Sequence, residues 1–357
     1  MEKNKIALVT YSLSAGGLER VVANSTFLFE KMGYEVHLYV LESKIDYPFT
    51  GKLHTFNIDN LSVFSKIKAY RSIRNSLKNN QFQLIIDHRY RLNGWTEFMW
   101  QKFIYNKETV LNYVHSSNIY NYLFKSIKFN EFLFKNRPFI CVSKGIEQLV
   151  VKDFPLLKTT TIYNFVDVKL PKTPLNVSEK YILAIARMDF ENVKQIDVLL
   201  ECYAKSILPK NDIRLIILGD GIRLEEMKIL ANKLNIADFV DFKGFQPNTE
   251  NYYKNAFFTI LTSKYEGLPT VLVESLTMNT PVISFDCETG PNEIIIDRFN
   301  GLLIENQNQT KMINGMNELV GNEELYQSLK QNAQNSVEQF QLKAICNQWE
   351  QYLNDKL

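Results

Sequence analysis

Two glutamates, Glu266 and Glu274, are separated by seven residues in the run Leu-Thr-Ser-Lys-Tyr-Glu-Gly-Leu-Pro-Thr-Val-Leu-Val-Glu that begins at Leu261. Between them Gly267 permits a tight turn, and Pro269 takes the place of a helix's first residue. An apolar, strand-like run from Ala256 to Leu261 precedes the turn, and from Thr270 the spacing of Val271, Leu272, Ser275 and Met278 is helical. Such a strand-to-helix turn leaves backbone N–H groups free at the helix start, where an anion can dock. Glu274 lies one turn inside, and a turn is about 5.4 Å, roughly the step from a bound diphosphate to the adjoining ribose. A carboxylate there repels phosphate but accepts hydrogen bonds from ribose hydroxyls. Glu266, before the turn, falls on the other side of the phosphates, where the hydroxyls of a sugar would lie. The spacing asks for a nucleotide sugar.

With Gly290-Pro-Asn-Glu293 downstream, this stretch resembles the E-x7-E element of family-4 retaining glycosyltransferases. The resemblance implies an α/β chain of GT-B type, two Rossmann-like domains facing each other across a deep cleft. It also implies a donor site assembled from separate loops. Gly16 and Gly17, in Gly-Gly-Leu-Glu-Arg20, resemble the first loop of that family, which faces the donor. Arg187 and Lys194 resemble the pair that grips the donor diphosphate, neutralising the leaving group so that no metal or other cofactor is required. Gly219, in Gly-Asp-Gly221, resembles the glycine turn beside the base, and Phe245 follows a strand expected to line the base pocket. Leu268, Pro269 and Thr270 complete the turn around the phosphates. His115 matches a histidine that contacts the donor sugar or acceptor near the reacting bond. Glu266, Arg187, Lys194 and His115 are therefore the expected catalytic set.

At 357 residues, 45% apolar and 22% charged, the chain suits a globular protein of two domains. No apolar run reaches the roughly 20 residues of a membrane span, and the N-terminus runs straight into a strand without a signal peptide. The four cysteines lack metal-ligand spacing and read as reduced core thiols of a cytoplasmic protein. The net charge of +2 hides an asymmetry. Through Val166 there are 22 Lys and Arg against 13 Asp and Glu, a net of +9; the remainder carries 19 against 26, a net of −7. A basic first half points to an anionic surface, and in the absence of any nucleic-acid motif that surface is lipid rather than nucleic acid.

Strand and helix signals alternate from Ile6-Ala-Leu-Val-Thr10 onward, as in a parallel sheet covered on both faces. Asp87-His88-Arg89 and His115-Ser116-Ser117 follow directly on strands, where ligands of such sheets bind. Arg89 and Arg91 then either take an acceptor phosphate or stand as solvated surface arginines. From Asn118 to Phe139, aromatic residues interleave with Lys125, Lys128 and Lys135, a basic amphipathic stretch able to lie in a bilayer interface or on the domain core. The expected organisation is an acceptor domain over 1–166, a Pro-containing linker over 167–178 and a donor domain over 179–338. A final helix over 339–357 crosses back to the first domain. The reading is a retaining transfer of a hexose or N-acetylhexosamine, from a uridine diphosphate sugar, to a lipid-linked or surface-glycan saccharide at the inner face of the cytoplasmic membrane. Two rivals share these features: a sugar-nucleotide epimerase of related fold, and a non-catalytic partner of an active homologue.

Overall fold

In the computed structural model, residues 4–14, 16–58, 61–106, 108–166 and 179–356 are described; the stretch 167–178, read above as a linker, lies outside them. The chain divides into two compact units, Met1–Phe165 with Leu342–Leu357, and Val166–Gln341. Each is built on one all-parallel sheet.

The first sheet holds β1 (Lys5–Thr10), β2 (Glu35–Val40), β3 (Lys52–Thr55), β4 (Leu84–Asp87), β5 (Val110–Val114), β6 (Phe139–Cys141) and β7 (Thr159–Thr161) in the order β3-β2-β1-β4-β5-β6-β7. The apolar runs explain why it is parallel and buried: Ile6, Ala7, Leu8 and Val9 show no exposed surface, and their neighbours Ile85 and Ile86 are equally enclosed. Strand β3 was not visible in the sequence, because Lys-Leu-His-Thr is short, polar and an edge. Side chains of Asn93, Ser126 and Ser143 cap the helices that follow them, accepting from the N–H groups of Thr96, Phe129 and Ile146.

The second sheet holds β8 (Tyr181–Ile185), β9 (Arg214–Leu218), β10 (Val240–Gly244), β11 (Thr259–Leu261), β12 (Val282–Phe285) and β13 (Gly301–Ile304) in the order β10-β9-β8-β11-β12-β13. In both units the chain first builds outward one way and then the other. The reversal lies between β1 and β4 in the first unit and between β8 and β11 in the second. Loops at the carboxyl ends of strands flanking such a reversal diverge and leave a crevice for a ligand.

The basic aromatic stretch 118–139 is not one amphipathic helix. A 3₁₀ turn, Ile119–Asn121, leads to a helix that begins only at Ile127 and ends at Phe134. Asn130, fully buried, breaks the run by donating to the carbonyl of Phe124 and accepting from its N–H. Leu133 and Phe134 pack inward, while Tyr120, Ile127 and Phe132 and the lysines 125, 128 and 135 remain exposed.

The last helix, Leu342–Lys356, packs within the first unit. Its Trp349 is buried with ring centroids 4.9 Å from Phe29 and 6.0 Å from Tyr352, both edge-on. Trp349→Ala should destabilise that unit by about 3–5 kcal/mol, the range for emptying a large aromatic site. Urea unfolding followed by far-ultraviolet circular dichroism checks it.

Candidate active site

The site of the second unit is made where β8 and β11 diverge. After β8 the chain runs through Arg187 to Gln195 before the helix Ile196–Lys205; after β11 it runs through Thr262 to Pro269 before the helix Thr270–Thr277. Backbone contacts lock the two loops together. The Lys264 N–H donates to the Val193 carbonyl at 2.8 Å, and the Thr262 hydroxyl lies 3.1 Å from the carbonyls of both Lys194 and Gln195. Gln195 is held in the left-handed region at φ 48°.

This locking brings Lys194 to Glu266. Its Nζ donates to Glu266 Oε1 at 2.6 Å, and the Ser263 hydroxyl donates to the same oxygen at 2.6 Å. The lysine is 28% exposed and the carboxylate 8%. The Glu266 main-chain carbonyl accepts from the Thr289 hydroxyl, tying the loop after β12 to the loop after β11. At the adjacent Gly290, φ is +95°, and a Cβ there would stand 2.7 Å from the Gly267 carbonyl oxygen. The close stacking of these loops, with Gly267, Leu268 and Pro269 enclosed between them, therefore requires glycine at 290.

Arg187 is not drawn into this cluster. It pairs with Asp189 at 3.3 Å and keeps 60% of its side chain in solvent. Gly219 has a structural duty that the sequence did not disclose: at φ +122°, a Cβ would lie 2.0 Å from the Ala186 carbonyl oxygen. The turn after β9 thus packs directly under the loop bearing Arg187. Phe245, just beyond β10, is half exposed at the same end of the sheet.

Glu274 lies in the second turn of Thr270–Thr277 and is buried, its Oε2 accepting from the Tyr253 hydroxyl at 2.8 Å. Pro269 is the cap residue rather than the first helical one; its φ of −72° suits the helix but its ψ of 91° does not. Thr270 opens the helix. Tyr253, which orients Glu274, and Ser263, which orients Glu266, went unnoticed in the sequence. Tyr253 gives no signal there, whereas Ser263 stands directly beyond the strand β11 and could have been suspected for that reason.

In the first unit, Gly16 caps the helix Gly17–Lys31 in an extended conformation, and a side chain at Gly17 would meet nothing within 4 Å. The reading of Arg89 and Arg91 as acceptor-facing is corrected: both are buried. Arg89 reaches Asp87 at 2.7 Å and Glu97 at 3.3 Å; Arg91 reaches the same two carboxylates at 3.4 Å each, and Asn112 Oδ1 at 3.0 Å. The Arg89 guanidinium lies 3.7 Å from the Trp100 ring centroid, at the start of a π-helical turn, Trp100–Ile104. Two positive and two negative charges thus pair with one another inside the unit. Burial pushes the Asp87 carboxyl up, but Arg89 and Arg91 outweigh it and hold the group below its ordinary value.

His115 directly follows β5 beside His88, which directly follows β4, with His88 Nδ1 3.0 Å from His115 Nε2. Burial drives both imidazoles toward the neutral form, assisted by the charge of Arg91.

Two doubly wound parallel units are the architecture of the GT-B fold, shared with the solved structure described below. Residues 166–336 match the family described as Glycosyl transferases group 1, to which this second unit belongs. The chain is 26% identical, over 98% of its length and 99% of the relative's, to the N-acetylgalactosamine-N,N'-diacetylbacillosaminyl-diphospho-undecaprenol 4-alpha-N-acetylgalactosaminyltransferase of Campylobacter jejuni. It is 24% identical, over 90% of its length and 91% of the relative's, to the lipopolysaccharide 1,6-galactosyltransferase of Salmonella typhimurium. The crystal structure of an S. aureus TarM mutant in complex with Fondaparinux, alpha-GlcNAc-glycerol and UDP covers 98% of the chain, and the chain covers all of it. The TM-score is 0.80 at 15% identity.

Breaking the charge network tests the corrected role of the arginines. Arg91→Met should cost about 3–5 kcal/mol of stability, because it leaves Asp87 and Glu97 buried and short of a cation. An acceptor-binding arginine would instead lose affinity and leave the urea midpoint in place.

Proposed function

We propose that this glycosyltransferase moves a hexose or N-acetylhexosamine, with retention of configuration, from a uridine diphosphate sugar to a lipid-linked saccharide. The observation that carries the donor half is the Lys194–Glu266 pair at the divergence of β8 and β11, with Glu274 one turn along the following helix. A diphosphate arriving at the start of Thr270–Thr277 would meet free helix-terminal N–H groups and compete with Glu266 for the Lys194 ammonium. Glu266, released from its lysine, then has lone pairs for sugar hydroxyls, and Glu274, steadied by Tyr253, has its own for the ribose. Exposed and lightly paired, Arg187 is free to swing onto the leaving phosphate.

The C1–O bond to the β-phosphate breaks while the acceptor oxygen bonds to C1 on the same face. The acceptor proton passes to the departing phosphate oxygen, giving the nucleoside diphosphate and the glycoside. Arg187 and Lys194 stabilise the charge gathering on the diphosphate, so the step draws on no metal. A uridine nucleotide is supported by the UDP in the TarM complex, and a lipid-linked acceptor by the diphospho-undecaprenol in the name of the Campylobacter jejuni relative. No described helix is long and apolar enough to cross a membrane.

Such an acceptor puts the enzyme at an anionic bilayer, and the exposed face of Ile127–Phe134 suits one. Phe132 stacks on Phe98 at 6.1 Å, Phe98 on Trp95 at 5.5 Å, and Trp95 is 73% exposed. Lys102 covers Phe132 at 4.5 Å, with Lys125, Lys128 and Lys135 exposed on the same segment. Aromatic rings at headgroup depth with lysines beside them are an interfacial arrangement.

The division of labour between the glutamates is measurable by calorimetry. Glu274→Ala should weaken UDP-sugar and UDP alike by about 1.5–3 kcal/mol, through loss of a charged acceptor. Glu266→Ala should spare UDP affinity and lower turnover. Equal loss of UDP affinity in both would overturn these roles. Arg187→Ala should reduce turnover by about 10²–10³-fold, the scale of one preorganised charge-stabilising donor, while a chelator leaves the wild-type rate unchanged. Activity lost to chelation and restored by magnesium would refute the metal-free step. Binding to vesicles containing phosphatidylglycerol should fall steeply with salt, since each lysine near such a surface contributes about 1 kcal/mol within a Debye length. Changing Lys125, Lys128 and Lys135 to glutamate should release the protein from the vesicles without altering UDP affinity; co-sedimentation indifferent to both would remove the membrane from the reading.

A further inference from the structure

Ser263 and Lys194 donate to the same oxygen of Glu266, Oε1, each at 2.6 Å. Oε2 receives no hydrogen bond from a described residue and keeps surface of its own, in a side chain 8% exposed. It is the oxygen left for a ligand. The direction in which it points depends on the last torsion of the side chain, and for glutamate that torsion is soft. The hydrogen bonds at Oε1 are what fix it, because the Thr289 hydroxyl holds only the main-chain carbonyl of Glu266.

The two donors differ in how firmly they are held. Lys194 carries its ammonium on a flexible four-carbon stem, 28% exposed. Ser263 is 1% exposed, and a single torsion places its oxygen. Its neighbours on both sides are tied to the loop after β8. The Thr262 hydroxyl lies 3.1 Å from the carbonyls of Lys194 and Gln195, and the Lys264 N–H donates to the Val193 carbonyl at 2.8 Å. Two residues before Ser263, Leu261 is paired with Ser284 of β12. The serine therefore stays in place whatever the lysine does.

We propose that Ser263 is a positioning residue for the transfer: it keeps Oε2 of Glu266 turned to the donor sugar once the diphosphate has drawn Lys194 away. This rests on the donor reading above, in which Lys194 changes partner. In the empty site both donors hold Oε1. In the loaded site the serine is the one that remains, and a carboxylate held at one oxygen presents the other to a sugar hydroxyl in a fixed direction. Without the serine the carboxylate would swing about its last torsion, and misplacing such a contact by about 1 Å is enough to cost roughly 10²-fold in rate.

The test uses the full chain and, as probe, the tightest binder among UDP-glucose, UDP-galactose, UDP-N-acetylglucosamine and UDP-N-acetylgalactosamine. Affinities for UDP and for the probe are read by titration calorimetry, and turnover as hydrolytic release of UDP. Ser263→Ala should leave UDP affinity unchanged and slow release from the probe by about 10–100-fold, the scale of losing one hydrogen bond to a charged group. Ser263→Thr, which keeps the hydroxyl, should restore the rate. Added to Glu266→Ala, Ser263→Ala should cost nothing further, since no carboxylate is left to aim; this double variant decides the matter whether or not the methyl of threonine fits. A serine that merely packs the loop would weaken UDP and the probe together, and would add its own cost to that of Glu266→Ala. Either result overturns the proposal, as does a wild-type rate in Ser263→Ala. If Glu266→Ala alone neither slows release nor weakens the probe relative to UDP, the donor reading fails and takes the proposal with it. If Glu266→Ala does so and Ser263→Ala does not, the proposal alone falls.

Discussion

Bringing an ammonium and a carboxylate to 2.6 Å in a largely dry site costs desolvation that only close pairing and further hydrogen bonds return. In the second unit this constraint fixes the loops after β8, β11 and β12 at once. Lys194 is held by the hydroxyl of Thr262 on its carbonyl, Glu266 by Ser263 on its side chain and Thr289 on its main chain. None of these contacts forms unless the sheet reverses between β8 and β11, since that reversal separates the two loops enough for side chains to meet between them. Topology therefore comes first, and the charge pair exploits it. Under the proposed function a diphosphate would take the place of Glu266 on the Lys194 ammonium, and Glu266 would keep the Ser263 hydroxyl and gain those of the sugar.

The first unit meets a similar constraint differently. Its four charges, Asp87, Glu97, Arg89 and Arg91, close on one another and on Asn112, Gln101 and the Trp100 face. No member is left over for a ligand. Their effect is to rigidify the chain immediately beyond β4, where His88 stands. The π-helical turn Trp100–Ile104 fits this role: an added residue in the helical repeat lets Trp100 lie under Arg89 while Gln101 turns to Glu97.

The contrast explains what could be read from the sequence. Both parallel sheets were legible, because continuous runs such as Ile6-Ala-Leu-Val and Leu183-Ala-Ile have one physical solution, burial on both faces. The nearness of Glu266, Gly267 and Glu274 was legible because it depends on one strand-turn-helix and local spacing. What escaped depends on contacts distant in sequence. Arg89 looks like a surface arginine until Glu97, eight residues on and across a turn, is seen to meet it. Tyr253 reaches Glu274 from a helix 21 residues earlier, and Asn130 breaks an otherwise convincing amphipathic run only through the Phe124 backbone. The edge strand β3 escaped because an edge has no need of an apolar signature.

Sequence legibility and mechanistic demand also coincide for a physical reason. Under the proposed function the donor half would bind a diphosphate, a ribose and a base at fixed mutual distances, and short-range backbone geometry suffices for the first two. A lipid-linked saccharide, the acceptor proposed above, offers no comparable rigid frame, so the first unit would meet it with surfaces instead of motifs: lysines on one segment, aromatic rings from two others. Beyond the motifs, the sheet itself fixes the two histidines of that unit, hydrogen-bonding His88 to β1, laying it at a tilt against Tyr113 and setting His115 against it at 3.0 Å. The nearness of these two histidines, 27 residues apart in the chain, follows only from the order in which the strands pair.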